Sequence, residues 1–109
     1  MISSLDELTG ILRRFAHERD WQQFHSPKNL VMALGVEVAE LAEHFQWLSQ
    51  QESLELDDRQ KVAVRRELAD ILIYLVRLAD RLMPSITCEV AWASWVPSFE
   101  ADTPLPTIS

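Results

Sequence analysis

The sequence predicts an all-α protein, an antiparallel helical bundle with two long central helices. Proline stands only at Pro27 in the first 83 residues, while four prolines fall in the remainder. In the proline-poor part, apolar residues recur at spacings of three and four, and no strand-like alternation of useful length occurs. We therefore expect a helical core over residues 1–83 and a divergent C-terminal segment over 84–109. A chain of 109 residues allows one small domain, which we expect oligomerisation to complete.

The first predicted helix begins after Ser4. Ser4 and Glu7 have the spacing of a capping box, and helical spacing then connects Leu5, Leu8, Leu12 and Phe15. From Arg19 to His25 the period is lost, which predicts a connection.

The second predicted helix runs from Pro27 to about Leu48. Ser26 is a suitable N-cap, and proline is favoured in the first turn. One apolar stripe, widened by Val31 and Val38, consists of Leu30, Leu34, Leu41 and Phe45. Residues 49–56 are polar and acidic, so a loop is expected there.

The third predicted helix runs from the cap Asp57 to about Met83, with Gln60 at the capping-box position. Its apolar stripe consists of Val64, Leu68, Ile71, Leu75, Leu78 and Leu82. A short fourth helix is predicted from about Ile86 to Trp95.

Charge and glycine content exclude several function classes. The net charge of −7 argues against a protein that grips nucleic acid through its phosphates. The only glycines, Gly10 and Gly35, lie too far apart for a Walker loop or a Rossmann fingerprint. With one cysteine, Cys88, no signal peptide and no long apolar run, we expect a soluble, cytoplasmic protein.

Four acids carry the chemical signal. Glu37 and Glu40 share one face of the second helix, and Glu67 and Asp70 share one face of the third, each pair beside the apolar stripe. All four lie at similar distances from the connecting loop. An antiparallel hairpin therefore brings Glu40 level with Glu67, and Glu37 level with Asp70.

Such a cluster predicts a bound cation. Two carboxylates about 5 Å apart repel by about 3 kcal/mol at an effective dielectric of 20. Oxygen ligands favour Mg²⁺, with Mn²⁺ as a substitute, and magnesium sites commonly accept substrate phosphates. Two alternatives stay open: neutralisation by Arg65, Arg66 or Arg77, and a di-iron bundle, which the absence of Glu-x-x-His pairs disfavours.

Around these acids the sequence resembles a known family. The matching text is Glu18-Arg-Asp-Trp-Gln-Gln-Phe-His25, Ser26-Pro-Lys-Asn-Leu30, Glu37-Val-Ala-Glu-Leu-Ala-Glu-His-Phe-Gln-Trp47 and Glu67-Leu-Ala-Asp-Ile-Leu-Ile-Tyr-Leu75. It resembles the MazG-like all-α nucleoside triphosphate pyrophosphohydrolases, especially their small dCTPase-like branch. The resemblance implies hydrolysis of a (deoxy)nucleoside triphosphate such as dCTP to the monophosphate and pyrophosphate, in house-cleaning of the nucleotide pool.

The resemblance also implies roles for single residues. Glu37, Glu40, Glu67 and Asp70 would hold Mg²⁺, and Glu37 or Glu40 would orient the attacking water. Trp21 and Trp47 match positions that line the base pocket. The family works as dimers or dimers of dimers, so a homodimer or homotetramer is implied, with no nucleic-acid polymer or membrane as partner.

Two further residues are substrate-binding candidates. Lys28 opens the second helix, where a cation and a helix N-terminus can meet phosphate oxygens, although simple solvation is the alternative. Tyr74 follows Asp70 by one turn, and a hydrogen bond near the site or ordinary core packing are both open. We expect His25 and His44 to be structural or exposed.

After Arg81 the chain has no Lys or Arg, and here it departs from the family, whose basic ending helps to bind triphosphate. The second hypothesis is therefore a non-catalytic helical oligomer that binds nucleotide or a protein partner.

Overall fold

A computed structural model describes residues 4–82, and this part of the chain is helical without a strand. Its α-helices are α1 (Leu5–Glu18), α2 (Pro27–Glu43), α3 (Gln50–Ser53) and α4 (Asp58–Leu82), with a 3₁₀ turn at Trp21–Phe24. The long helices α2 and α4 pack together as the central pair, and α1 packs on α4. The all-α bundle with two long central helices is thereby confirmed. The predicted helix from Ile86 to Trp95 lies outside the described residues.

Side-chain caps begin three helices where the sequence predicted them. The Ser4 hydroxyl accepts a hydrogen bond from the Glu7 backbone N–H at 3.1 Å, and Ser26 caps α2 in the same way. Asp57 and Gln60 form a reciprocal capping box, with bonds of 2.7 and 2.9 Å between side chain and backbone. Each cap satisfies backbone donors that the first helical turn leaves unpaired, which fixes the start of each helix.

The chain between α2 and α4 differs from the prediction. Helix α2 ends at Glu43 rather than near Leu48, and beyond it the N–H groups of His44 and Phe45 donate to carbonyls three residues back, those of Leu41 and Ala42, at 3.1 and 3.0 Å. Where a loop was expected, Ser49 and Glu52 form a capping box that begins α3. The apolar period continues through Phe45, so periodicity alone overestimates the length of α2.

The buried apolar residues are few in the described part: Ala16, Leu30, Val64 and Val76. They come from α1, α2 and α4, so the core lies where these three helices meet. Several residues predicted to face the core are instead exposed, namely Val31 and Val38 on α2 and Leu68, Leu75 and Leu82 on α4. On α4 the reason is geometric: its apolar residues lie on two faces, and packing among the described helices covers only one of them.

A buried ionic network joins α1 to α4. The Asp80 side chain is 6% exposed and accepts hydrogen bonds from both Nε and Nη2 of Arg13, a bidentate pair. Arg77, one turn earlier in α4 and buried, places its Nη1 3.3 Å from Asp80 Oδ2. The hydrogen bond from Arg13 is the main reason why the pKa of Asp80 lies below its ordinary value. The network therefore works as a charged clamp between the first and last described helices.

We expect Asp80→Asn to lower the free energy of unfolding by about 3 kcal/mol at pH 7, since an amide leaves the buried Arg77 cation without its anion. Urea unfolding followed by circular dichroism measures the loss. The control is Glu55→Gln, which removes one carboxylate charge at an exposed position. An Asp80→Asn midpoint equal to that of the wild type would contradict the clamp.

The difference in unfolding free energy between the wild type and Asp80→Asn depends on pH. Because the folded-state pKa of Asp80 lies below the ordinary 3.8, the carboxylate's contribution to stability is complete above that value. It is lost as the pH falls through the folded-state pKa. The difference between wild type and Asp80→Asn should accordingly shrink on acidification, and not on raising the pH.

Candidate active site

Three carboxylates meet between the central helices. One oxygen each from Glu37 on α2 and from Glu67 and Asp70 on α4 lie within 4.8 Å of one another. Glu37 and Glu67 are partly buried, whereas Asp70 is exposed. We call these three residues the acidic cluster. Its geometry follows from the three-residue spacing that puts Glu67 and Asp70 on one side of α4.

Two oxygens of the acidic cluster have no donor. Glu37 Oε2 and Glu67 Oε2 are both shielded from solvent and accept no hydrogen bond. Burial, chiefly, raises the pKa of Glu37 from 4.5 to about 7; the Glu67 carboxylate and the charges of Glu40 and Asp70 add to this rise. A proton on Glu37 would supply a donor for Glu67, whereas two ionised carboxylates are both acceptors without a donor. The cluster therefore has the donor deficit that a cation would satisfy.

Glu40 lies beside the acidic cluster but contributes no oxygen to the set. It follows Glu37 by three residues on α2, is exposed, and raises the pKa of Glu37 by its charge. The structure thus brings Glu37 to Glu67 and Asp70, whereas Glu40 stays at the margin.

The arginines that could have neutralised the acids do not do so. Arg77 bonds to Asp80 and to His25. Among the described residues no ion pair connects Arg65 or Arg66 to the acidic cluster.

His44 is the residue at this site that sequence reasoning missed. Its Nε2 lies 3.7 Å from Glu67 Oε1, which forms an ion pair when His44 is protonated. The signal was available, because His44 follows Glu37 by seven residues and so shares its face of the helix two turns on. The contact is compatible with the predicted structural role of His44 and adds that His44 lies next to the acidic cluster.

The donor set fits a hard divalent cation. All three oxygens are carboxylate oxygens, two side chains offer an orphaned second oxygen, and Mg²⁺ and Mn²⁺ prefer such ligands. A di-iron bundle would add histidine three residues after a glutamate, and neither described helix of the cluster has that spacing.

The four candidate substrate residues lie on the 3₁₀ turn, on α2, in the turn after α2, and on α4. Trp21 begins the 3₁₀ turn and is 42% exposed, while Trp47, in the turn after α2, is 86% exposed. Lys28 is exposed in the first turn of α2, and Tyr74 is partly buried on α4 one turn after Asp70. In the part of the chain that the structure describes, no hydrogen bond or ion pair joins these four to the acids.

Comparison with known proteins decides the family. The profile of the MazG-like family matches residues 32–89, more than half of the chain, and includes all four acids. The chain belongs to the MazG-like family. This MazG-like chain is 49% identical over 80 residues to dCTP pyrophosphatase 1 of Bos taurus and 48% identical over 80 residues to that of Homo sapiens. In both cases the match covers 72% of this chain and 47% of the relative, so the chain spans about half the length of these proteins.

A solved structure shares the fold of this MazG-like chain. A pyrophosphatase from Archaeoglobus fulgidus superposes with a TM-score of 0.72 at 42% sequence identity, covering 84% of each chain. Over the described residues, no helix combines the length and apolarity needed to cross a membrane.

We expect Glu37→Gln to be at least as stable as the wild type near neutral pH without metal. The folded-state pKa of Glu37, about 7, exceeds the ordinary 4.5, so ionisation makes the wild type progressively less stable as the pH rises between these values. Glu37→Gln lacks that loss, and its urea midpoint should gain on the wild type over the same interval.

Added Mg²⁺ should reverse the order of stability of the wild type and Glu37→Gln. It should raise the melting temperature of the wild type more than that of Glu37→Gln, because the amide is a poorer ligand. Glu43→Gln, exposed at the end of α2, is the control. A Glu37→Gln variant that is less stable than the wild type at pH 7 without metal would contradict the crowding of the acids.

Proposed function

We propose that this MazG-like protein hydrolyses a deoxynucleoside triphosphate between the α- and β-phosphates, giving the monophosphate and pyrophosphate, with dCTP among its substrates. The observation that carries the proposal is the acidic cluster, whose orphaned oxygens favour a bound cation. The names of the similar proteins, dCTP pyrophosphatase 1 and a pyrophosphatase, support the reaction class. The reaction belongs to the house-cleaning of nucleotide pools.

We propose Mg²⁺ as the ion, with Mn²⁺ as a substitute, and Glu37, Glu67 and Asp70 as its ligands. When bound, the ion supplies positive charge that neutralises the triphosphate and the charge developing on pyrophosphate. The ligand residues come from both α2 and α4, so packing of these helices sets the shape of the site before substrate arrives. Coordination also removes the need for Glu37 to hold a proton.

Glu40 is our candidate for the group that orients water and accepts its proton. It is exposed, lies next to Glu37, and takes no part in the three-oxygen set, so its carboxylate is available. In the proposed step a water oxygen bonds to the α-phosphorus while the bond from that phosphorus to the bridging oxygen breaks. The proton passes to Glu40, and the electron pair leaves with pyrophosphate. Glu37 remains the alternative base, since it lies one helical turn before Glu40 and contributes an oxygen to the same cluster.

The nucleoside and the phosphates need separate contacts. We propose that Trp21 and Trp47 stack on the base, because both present indole surface to solvent. Lys28 would meet the phosphates at the start of α2, where exposed backbone N–H groups add favourable dipoles. Tyr74 would hydrogen-bond beside Asp70.

We further propose that the protein acts as a homodimer or homotetramer in the cytoplasm. A row of exposed leucines runs along α4 with the spacing of a helix–helix interface: Leu68, Leu72, Leu75 and Leu82. The described helices pack on the other side of α4 and leave this row exposed, so a second copy is the proposed cover. A lone cysteine agrees with a reducing compartment.

Light scattering after gel filtration should give at least twice the chain mass of 12.6 kDa. Leu75→Asp should reduce the mass to that of one chain, because a carboxylate in an apolar interface is not solvated. Leu54→Asp is the matched control, since Leu54 is 80% exposed but lies outside the row. A wild-type mass of one chain at micromolar concentration would refute the assembly.

The activity is tested by incubating the protein with each dNTP and Mg²⁺ and measuring pyrophosphate. We expect release from dCTP, and Glu40→Gln should lower kcat by about 10² to 10⁴, the usual contribution of a general base. Stability and the Mg²⁺-induced rise in melting temperature should be nearly unchanged, since Glu40 stands outside the oxygen set.

Glu43→Gln, with the same loss of charge three residues further along α2, should retain wild-type turnover. Full activity in Glu40→Gln would remove Glu40 from the mechanism. No pyrophosphate from any nucleotide, in a protein that is folded by circular dichroism, would leave the non-catalytic helical oligomer as the better hypothesis.

A further inference from the structure

The segment between α1 and α2 has an unusual backbone that orients Trp21. Asp20 has φ 54°, in the left-handed region that residues other than glycine rarely adopt. Gln23 Nε2 stabilises this turn by donating to the Asp20 carbonyl at 3.2 Å and to Asp20 Oδ2 at 3.0 Å. The chain reverses there, and Trp21 becomes the first residue of the 3₁₀ turn.

Two aromatic rings contact Trp21. The Phe15 ring lies 5.2 Å away, centroid to centroid, in an edge-to-face arrangement, and the Arg19 guanidinium carbon is 3.5 Å from the Phe15 ring centroid. The His25 imidazole lies 5.9 Å from Trp21 and is inclined to it by 52°. These contacts leave part of the indole surface free.

Arg77 connects this aromatic group to α4. Its side chain is 2% exposed, and its Nε donates to His25 Nδ1 at 3.4 Å. Among the described residues, this is the only side-chain hydrogen bond between the 3₁₀ segment and α4. The segment is otherwise held by short-range bonds, such as that from Asn29 Nδ2 to the Phe24 carbonyl at 3.1 Å.

Ion pairing alone does not account for the burial of Arg77. Asp80 is already paired with two nitrogens of Arg13, and Arg77 donates to it through Nη1 alone, which leaves Nε and Nη2 to be accounted for. Arg77 Nη2 is buried and has no acceptor. Burying a guanidinium with an unpaired nitrogen lowers the stability of the fold, so a residue of this kind is expected to have a further role. The contact with His25 supplies one.

We infer that Arg77 is a positioning residue for nucleobase recognition, which fixes the Trp21 indole through its hydrogen bond to His25. The inference rests on the proposed function, because it takes Trp21 as the surface on which the base stacks. Arg77 itself touches neither base nor phosphate in this assignment; its effect passes through the imidazole.

The hydrogen bond requires an unprotonated Nδ1 on His25. Desolvation first, and then the positive charges of Arg77 and Arg81, hold the pKa of His25 below its ordinary 6.5. Asp80, which accepts from Arg77, and Arg13, which donates to Asp80, lie behind Arg77. At neutral pH the imidazole therefore accepts from Arg77 and carries its own proton on Nε2.

The test compares Arg77→Met, His25→Phe and the double variant with Arg59→Met as the control. Arg59 lies on the same helix, is exposed, and loses the same charge far from the site. Steady-state kinetics with dCTP give KM and kcat separately. Fluorescence is measured without nucleotide in a background where Trp47, Trp92 and Trp95 are replaced by Phe, so that only Trp21 emits.

We expect Arg77→Met to raise KM about fivefold with kcat within about twofold of the wild type, as partial loss of base stacking would do. His25→Phe should have the same effect, and the double variant should add little to either, because both remove one interaction. Arg77→Lys, which keeps a cation and a donor, should restore part of the loss.

The fluorescence of Trp21 follows the protonation of His25 without any substrate present. Protonated imidazole quenches a neighbouring indole, so emission from Trp21 should fall on acidification. In Arg77→Met the midpoint should move to higher pH, since a cation beside His25 is gone; in Arg59→Met it should stay. Should Arg77→Met fail to fold, Arg77→Gln, which removes the same cation while keeping a polar side chain, replaces it in the kinetic and the fluorescence comparisons.

An unmoved fluorescence midpoint in Arg77→Met would overturn the inference, as would a double variant whose KM rises by the product of the two single effects. A moved midpoint with an unchanged KM would also overturn it, because Trp21 would then not need the tether for recognition. If the wild type releases no pyrophosphate from any nucleotide, the proposed function fails separately. The nucleotide-free fluorescence then decides alone whether Arg77 sets the His25–Trp21 pair.

Discussion

Repulsion among carboxylates is the constraint around which this small fold is organised. Helices α2 and α4 must pack closely enough to bury Leu30 and Val64, and the same approach presses Glu37 against Glu67 and Asp70. Hydrophobic burial and carboxylate repulsion thus oppose each other along one helix pair. The raised pKa of Glu37 shows where the conflict is greatest, since a proton partly takes the place of a cation there.

The acidic cluster and the clamp differ in how their charges are balanced. At the acidic cluster, anions gather without a cation, which makes the site receptive to one. At the clamp, Asp80 lies ten residues further along α4 and is surrounded by Arg13 and Arg77, so its charge is satisfied within the chain. Helix α4 therefore carries one site with unbalanced negative charge, the acidic cluster, and one site with balanced charge, the clamp. In the metal-free protein only the clamp has its charges paired within the chain.

Sequence reasoning succeeded where the signal is local. The caps at Ser4, Ser26 and Asp57 depend on side chains within three residues of the backbone groups they satisfy, so the helix starts were predictable. The approach of α2 to α4 was predictable from helix geometry and brought three of the four acids together. The end of α2 was not, because the backbone changes there to hydrogen bonds three residues back without any change in the apolar pattern.

Other features depend on tertiary packing and leave no local trace. Arg77 was considered as a partner for the acidic cluster, whereas its rotamer takes it to Asp80 and His25. The exposure of Leu68 and Leu75 could not be foreseen either, because a helical stripe does not reveal whether the same chain or another covers it. The distinction needs the positions of all three helices.

The weak attachment of α1 has a dynamic consequence. Ala16 is its only buried residue, and the arginine of the pair between Arg13 and Asp80 that joins it to α4 is half exposed. Helix α1 should therefore open as a unit, with its amides exchanging with solvent well before those in the central helices. Each opening carries Phe15 away from Trp21, so a ligand that stacks on the indole would slow amide exchange in a helix that it never touches. Amide exchange in α1 and ligand binding at Trp21 would then both report on the opening equilibrium of α1.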